Sequence, residues 1–317
     1  MIRFILGRLV KAVFILLAIL VFNFLLIHAA PGDPAAVMAG EAGAADEKFL
    51  ADLRARFGLD QPLYMQLWLY IKGAVQLDLG YSFRQQMPVA EMIGERLWIS
   101  LPLALYALTL STLIAFPAGV WAASRRGSAV DMGVMGVTQL GVAIPNFWFA
   151  MLMVLVFAIN LRWFSAGGFA GWEQGIWPAM KSLTLPAIAL ALPQASILTR
   201  VMRSSLLDTL SEDFIRTARA KGLTRRQVLW RHALRNAMIP VLTIIGMQFS
   251  FLMAGAIIIE NVFFLPGLGR LVFQSISARD LIVVESVVML LVFAVILVNV
   301  AVDVAYAAVD PRLRGRR

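Results

Sequence analysis

A set of continuous apolar runs, each about 20 residues or longer, most limits what this chain can become. They occupy residues 9–30, 97–123, 132–160, 183–202, 238–259 and 281–302. An α-helix of roughly 20 apolar residues crosses the hydrocarbon layer of a bilayer, whereas a barrel strand needs about ten and alternates in polarity. These runs do not alternate, so they read as membrane-spanning helices. Composition agrees, at 60% hydrophobic and 15% charged over 317 residues. Soluble domains are typically about 45–50% apolar and about 25% charged. The first run has the basic head of a signal peptide, with Arg3 and Arg8 before it, but it is too long for a typical apolar signal core. PGDPA at 31–35 is a turn cluster, so the run is retained as a span.

Six spans place both termini on one side, and the basic residues say which. With the N-terminus inside, the inner segments hold 18 lysines and arginines and the short outer loops hold 4. The long segment at 31–96 holds 6, but long loops count little in this rule. Both termini are therefore expected in the cytoplasm. The net charge of +9 sits beside the spans, where it sets topology, so nucleic acid is not an expected partner.

The division expected is a first span plus a long outer segment over 1–95, a five-helix core over 96–310 and a basic tail over 311–317. Within 31–96, Phe49, Leu50, Leu53 and Phe57 recur at helical spacing, and Tyr64, Trp68 and Tyr70 follow. These are interfacial helices at head-group depth, or a rim that meets a delivery protein. Pro102 and Pro117 interrupt the second run, and Pro145 predicts a break in the third. The fourth contains Pro186, Pro193, Gln194, Ser196 and Thr199, and is the least apolar. A polar, proline-bearing span is more often buried in a bundle or lining a cavity than facing lipid. Gln194, Ser196 and Thr199, with Gln248 and Ser250 of the fifth run, are the candidate path residues.

Between the fourth and fifth runs lies the most charged stretch, the inner loop 203–237. Ser211 reads as an N-cap, with Glu212 and Asp213 in the first turn, where carboxylates suit the helix dipole. Gly222 reads as the residue just past the C-terminus, after Lys221. A short helix is thus expected over 212–221. A second starts at Thr224, with Gln227 completing a capping box. Such a helix could dock in a groove of a soluble partner, or a basic loop could rest on anionic head groups.

Several chemistries have no residues to carry them. There are no cysteines and only two histidines, His28 and His232. His28 sits at the outer end of the first span, as a satisfied interfacial residue or a substrate contact. No HExxH motif or paired carboxylate lies in a span, so no catalytic residue or metal ligand is assigned. None of the five lysines follows a glycine, so there is no phosphate loop, and any ATP must be hydrolysed by another chain. Lys11, Glu285 and Asp303, the charges noted within or beside spans, lie near boundaries, which counts against an ion-coupled carrier, the main alternative. Glu260, Asp280 and Glu285 near the outer face could meet a peptide ammonium or a delivery protein.

ARAKG at 218–222 followed by HALRNAMIP at 232–240 resembles the signature of permease subunits of ABC importers, and more narrowly the dipeptide, oligopeptide and nickel permease family. The general importer pattern is Glu-Ala-Ala, three residues, then Gly. Here Arg216, Thr217 and Ala218 occupy the first three positions, a departure shared by the peptide branch. PGDPA, FGLDQPL at 57–63, LDLGYS at 77–82, the Pro-x-Phe at 145–147, PGLG at 266–269 and DVAYAAVDPRLR at 303–314 are similar to the family at matching places. The resemblance implies an all-α integral membrane fold with six spans and a cytoplasmic coupling helix, the type I ABC importer permease. It implies a bacterial inner-membrane location. The partners implied are a second homologous permease in a heterodimer, two ATPase subunits using ATP-Mg, an extracytoplasmic substrate-binding protein and membrane lipid. No cofactor would bind this chain. Coupling falls on Glu212, Asp213, Phe214, Arg216, Thr217, Ala218, Arg219, Ala220, Lys221 and Gly222. Peptides are the expected substrate, with nickel chelates, glutathione and some sugars as alternatives in the same class.

Overall fold

The computed structural model describes residues 2–29, 35–36, 46–82 and 84–309, and these are almost entirely helical. The PGDPA turn and the closing residues Asp310, Pro311, Arg312 and Arg314 fall mostly or wholly outside that range. Among the described residues, five helices are long and apolar enough to cross a membrane, and a bent pair makes a sixth if counted as one span. The chain divides into two compact units.

The first unit comprises Ile2–Ser100 and Pro266–Leu297. It holds α1 (Ile2–Ala29), α2 (Glu47–Phe57), α3 (Leu63–Val75) and a two-residue hairpin, β1 (Tyr81–Ser82) with β2 (Met87–Pro88). It also holds the start of α4 (Val89–Ser124), α10 (Leu268–Ser277) and most of α11 (Leu281–Val309). Asp46 caps α2 by accepting from the Lys48 and Phe49 amides. No residue of α3 is buried, and Tyr64 and Trp68 are exposed. Both ring nitrogens of His28 face acceptors, one 2.8 Å from the Phe24 carbonyl and the other 3.0 Å from Gln66 Oε1, and a neutral imidazole donates to one of them. Asp280 accepts the Ser82 hydroxyl at 2.5 Å. Val89, Met92, Ile93, Leu268, Leu271, Val272, Val283 and Val287 form the core. The stretch at 260–271 leads into a helix whose inward face is part of that core.

The second unit comprises Leu101–Leu265 and the described chain from Val298. It contains the rest of α4, then α5 (Ala129–Ala143), α6 (Asn146–Met153, continued as a π-helix to Asn160) and α7 (Ile176–Ser211). Next come α8 (Asp213–Ala220) and α9 (Arg225–Val262), the latter π-helical over Val228–Ala233. Pro145 breaks the third span as expected. Ile144 is held extended by the proline after it, and α5 and α6 meet at 98°. Pro102, Pro117, Pro186 and Pro193 lie inside helices that continue through them. α7 begins at Ile176, seven residues before the apolar run that starts at Leu183, and 61% of its apolar window is buried, against 39% or less for the other unbroken spans. Its polar side chains explain this: a helix that carries Gln, Ser and Thr is placed in the middle of the bundle. Glycines let its neighbours close in. A Cβ on Gly119 of α4 would stand 2.7 Å from Met202 Cβ and 2.9 Å from the Thr199 carbonyl, and one on Gly141 of α5 would stand 2.1 Å from Ser196 Oγ.

Candidate functional site

The segment linking α7 to α9 is built from three local devices. First, α7 runs on through Ser211, whose hydroxyl donates to the Asp208 carbonyl at 2.7 Å. Ser211 is therefore not the N-cap expected from the sequence. Glu212 takes that position with extended backbone and no side-chain cap, so one residue separates the two helices. Second, α8 ends in a Schellman motif. Gly222 has φ +82°, its amide donates to the Arg219 carbonyl at 2.9 Å, and the Leu223 amide donates to the Ala218 carbonyl at 3.4 Å. Third, Thr224 opens α9 with the expected capping box: its Oγ1 accepts from the Gln227 amide at 3.3 Å, and Gln227 Oε1 accepts from the Thr224 amide at 2.9 Å.

α8 has two faces. Ile215 and Ala218 are buried in a core shared with Leu198, Met202 and Leu206 of α7 and Val228, Ala233, Ala237 and Val241 of α9. Leu223 packs against the same cluster. The remaining members of the expected coupling set, Glu212, Asp213, Phe214, Arg216, Thr217, Arg219, Ala220, Lys221 and Gly222, are exposed. Phe214, 41% exposed, is a large apolar side chain on a basic face. Arg216 reaches Asp213 at 3.2 Å, but both are so exposed that the pair adds little. The helix is thus pinned from within and open outward, which suits docking better than a floating loop.

Two links hold this assembly that sequence reading missed. Ser205 of α7 donates to the buried Ala237 carbonyl of α9 at 2.8 Å, joining the helices on either side of α8. Arg203 of α7 forks onto Asp131 of α5, Nε to Oδ1 at 2.5 Å and a terminal nitrogen to Oδ2 at 2.7 Å. Asp131 stood at the edge of the third apolar run beside Arg125 and Arg126, a position that marks a paired carboxylate, but nothing local names Arg203.

The candidate path residues fall in two groups. Ser196, Thr199 and Gln248 are buried between helices, and both hydroxyls donate to carbonyls of their own helix. Gln194 and Ser250 are half-buried. Gln248 Nε2 donates to the Gln194 carbonyl at 2.7 Å, so α7 and α9 are bonded there. Glu260 is fully buried rather than displayed.

Residues 115–315 match the family model described as binding-protein-dependent transport system inner membrane component, and residues 1–104 match the N-terminal model of the same kind of membrane component. A Brucella suis biovar 1 protein named for a peptide transport system permease is 42% identical over 309 residues, covering 98% of each chain. The glutathione transport system permease protein GsiC of Escherichia coli O6:H1 is 40% identical over 314 residues, covering 99% of each. In fold, the chain is similar to an inward-facing structure of the MetNI methionine ABC transporter, with a TM-score of 0.58 at 19% identity over 69% of this chain and 96% of that one. With its apolar helices and these matches, the chain belongs to the binding-protein-dependent transport system inner membrane component family and is a multi-pass permease of the bacterial inner membrane.

Proposed function

We propose that this permease forms half of the path through an ATP-driven importer of short peptides, pairing with a second, related permease. Two ATPase subunits dock on the two coupling helices from the cytoplasm, and a binding protein delivers substrate outside. The chain itself has no ATPase or other catalytic site and binds no cofactor; ATP-Mg works in the partners. The two-faced α8 carries this reading, because Ile215 and Ala218 bind it to the permease while Phe214, Arg216, Arg219 and Lys221 are exposed and can meet another protein. Only Glu212 and the four residues 221–224 separate it from the two long helices, so a push on α8 tilts both. Ser250, which remains partly accessible, and Gln194, whose side-chain oxygen is buried without a partner, are the best path candidates. Buried Gln248, Ser196 and Thr199 hold the helices that move. Peptide substrates, glutathione among them, follow from the names of relatives at 40–42% identity.

A detergent pull-down of wild type beside Gly222→Pro tests the proposal. Proline cannot adopt φ +82° and removes the amide that caps Arg219. Wild type should bring down an ATPase and a second permease, and the variant should keep the permease and lose the ATPase. Wild type that comes down alone, or as a homo-oligomer, would sink the importer assembly.

A further inference from the structure

We propose that Asp131 and Arg203, supported by Arg225, are positioning residues that fasten the turn between α4 and α5 to the coupling assembly, so that displacement of α8 is also carried into the broken third span. This rests on the importer function proposed above. Covalent continuity connects α8 only to α7 and α9. The turn at 125–128 belongs to a different pair of spans, and non-covalent bonds must tie it to α8 if it is to move with it.

The structure supplies such bonds on both sides of the turn. Arg225, in the first turn of α9, donates to the Ser124 carbonyl at 2.7 Å. Arg203, two turns before the end of α7, forks onto both oxygens of Asp131. Asp131 Oδ2 also accepts the Gly127 amide at 2.9 Å, so one carboxylate holds the turn, the start of α5 and α7 together. Its side chain is 5% exposed and that of Arg203 is 25% exposed, which limits screening by water and salt. A two-bond fork fixes angle as well as distance, which a single lysine contact does not.

The connection continues up α5. Arg200 of α7 donates to Gln139 of α5 at 3.4 Å, and beyond it Gly141 lies so close to Ser196 that no side chain fits between. Two residues later α5 ends at Ala143, and at Ile144 and Pro145 the chain turns through 98° into α6. α5 is thus bonded or closely packed to α7 at Asp131, Gln139 and Gly141, and it ends at the bend at Pro145. Motion delivered at Asp131 arrives at Pro145 as a change in that angle.

The chain has no cysteine, so spin labels can be placed at will. Arg126→Cys and Ser211→Cys, both exposed positions outside the coupling set, put one label on the turn and one at the junction of α7 with α8. The label distance is measured by pulsed electron resonance in the purified complex with its captured ATPase, with and without ATP, Mg and vanadate. In an otherwise wild-type background the distance should not respond to nucleotide. With Arg203→Lys, or with the isosteric Asp131→Asn, the turn should lag and the distance should shift by about 2 Å or more, the scale of helix shifts at interfaces. A variant that merely loosened packing would broaden the distance equally in both states. Distances that ignore nucleotide in all backgrounds, or that respond to it in wild type, overturn the clamp while leaving the importer assembly standing. Failure of wild type to capture any ATPase overturns that assembly, and the clamp's role with it.

Discussion

Truncating Ile215 to Ala should release the coupling helix without unfolding the permease. α8 has eight residues, and isolated helices shorter than about 12–15 residues are marginal in water. It therefore persists because it is docked. Of its side chains only Ile215 and Ala218 are buried, and Ala218 has little to contribute beyond its methyl group. Cutting a fully buried Ile to Ala costs about 2–5 kcal/mol, from lost transfer energy plus the cavity left behind. A middle value near 3 kcal/mol corresponds to a roughly 150-fold rise in the local opening equilibrium. α7 and α9 keep their own hydrogen bonds and their mutual Ser205–Ala237 bond, so the opening stays local. Hydrogen exchange by mass spectrometry in detergent or nanodiscs reads this directly. Amides of residues 216–222 should exchange about a hundredfold faster, while those in the middle of α7 stay unchanged. Protection of α8 within about threefold of wild type would refute the argument that Ile215 holds it, and faster exchange throughout α7 would refute the argument that the opening is local.

Phe214→Ala should leave that protection unaltered, because the ring is exposed, but should weaken ATPase capture in a pull-down by about tenfold or more, as an interface aromatic does. Gly141→Ala should destabilise the detergent-solubilised protein by about 1–3 kcal/mol, because its Cβ would stand 2.1 Å from Ser196 Oγ, and adding Ser196→Ala should recover part of the loss in thermal melts. Gly222→Ala should cost only about 1–2 kcal/mol of local stability, since the strain lies in φ +82° and the space around a Cβ is open; a titration of ATPase capture should place it between wild type and Gly222→Pro. A cysteine at Lys221 should react with an impermeant maleimide in inside-out vesicles and not in intact cells, which would put the coupling helix in the cytoplasm.

Much of the site was readable in advance because it is local. The left-handed residue at Gly222 and the Thr224–Gln227 box are each decided within four or five residues. The N-cap shows the limit of that reasoning. Ser211 is as good a cap as Glu212 is a poor one, yet α7 is carried one residue further by Leu206 and its neighbours in the core beneath, and the helix ends where packing ends. The burial of Gln248, Ser196 and Thr199 was equally illegible, since a polar residue in a span faces a path or a neighbouring helix with the same sequence signature.

The sequence by itself determined that this is a helical membrane protein, roughly where it crosses, where the third span breaks and where α8 stops. Run length, proline chemistry and the need for positive φ are properties of short stretches, and no distant residue can change them. The tertiary structure alone decided which face of α8 is bound and which is offered, that the fourth span is the buried one, and that Asp131 meets Arg203 from 72 positions away. Those outcomes depend on which surfaces remain once the helices have packed, and on a charge buried by that packing having to find its partner wherever the fold places one.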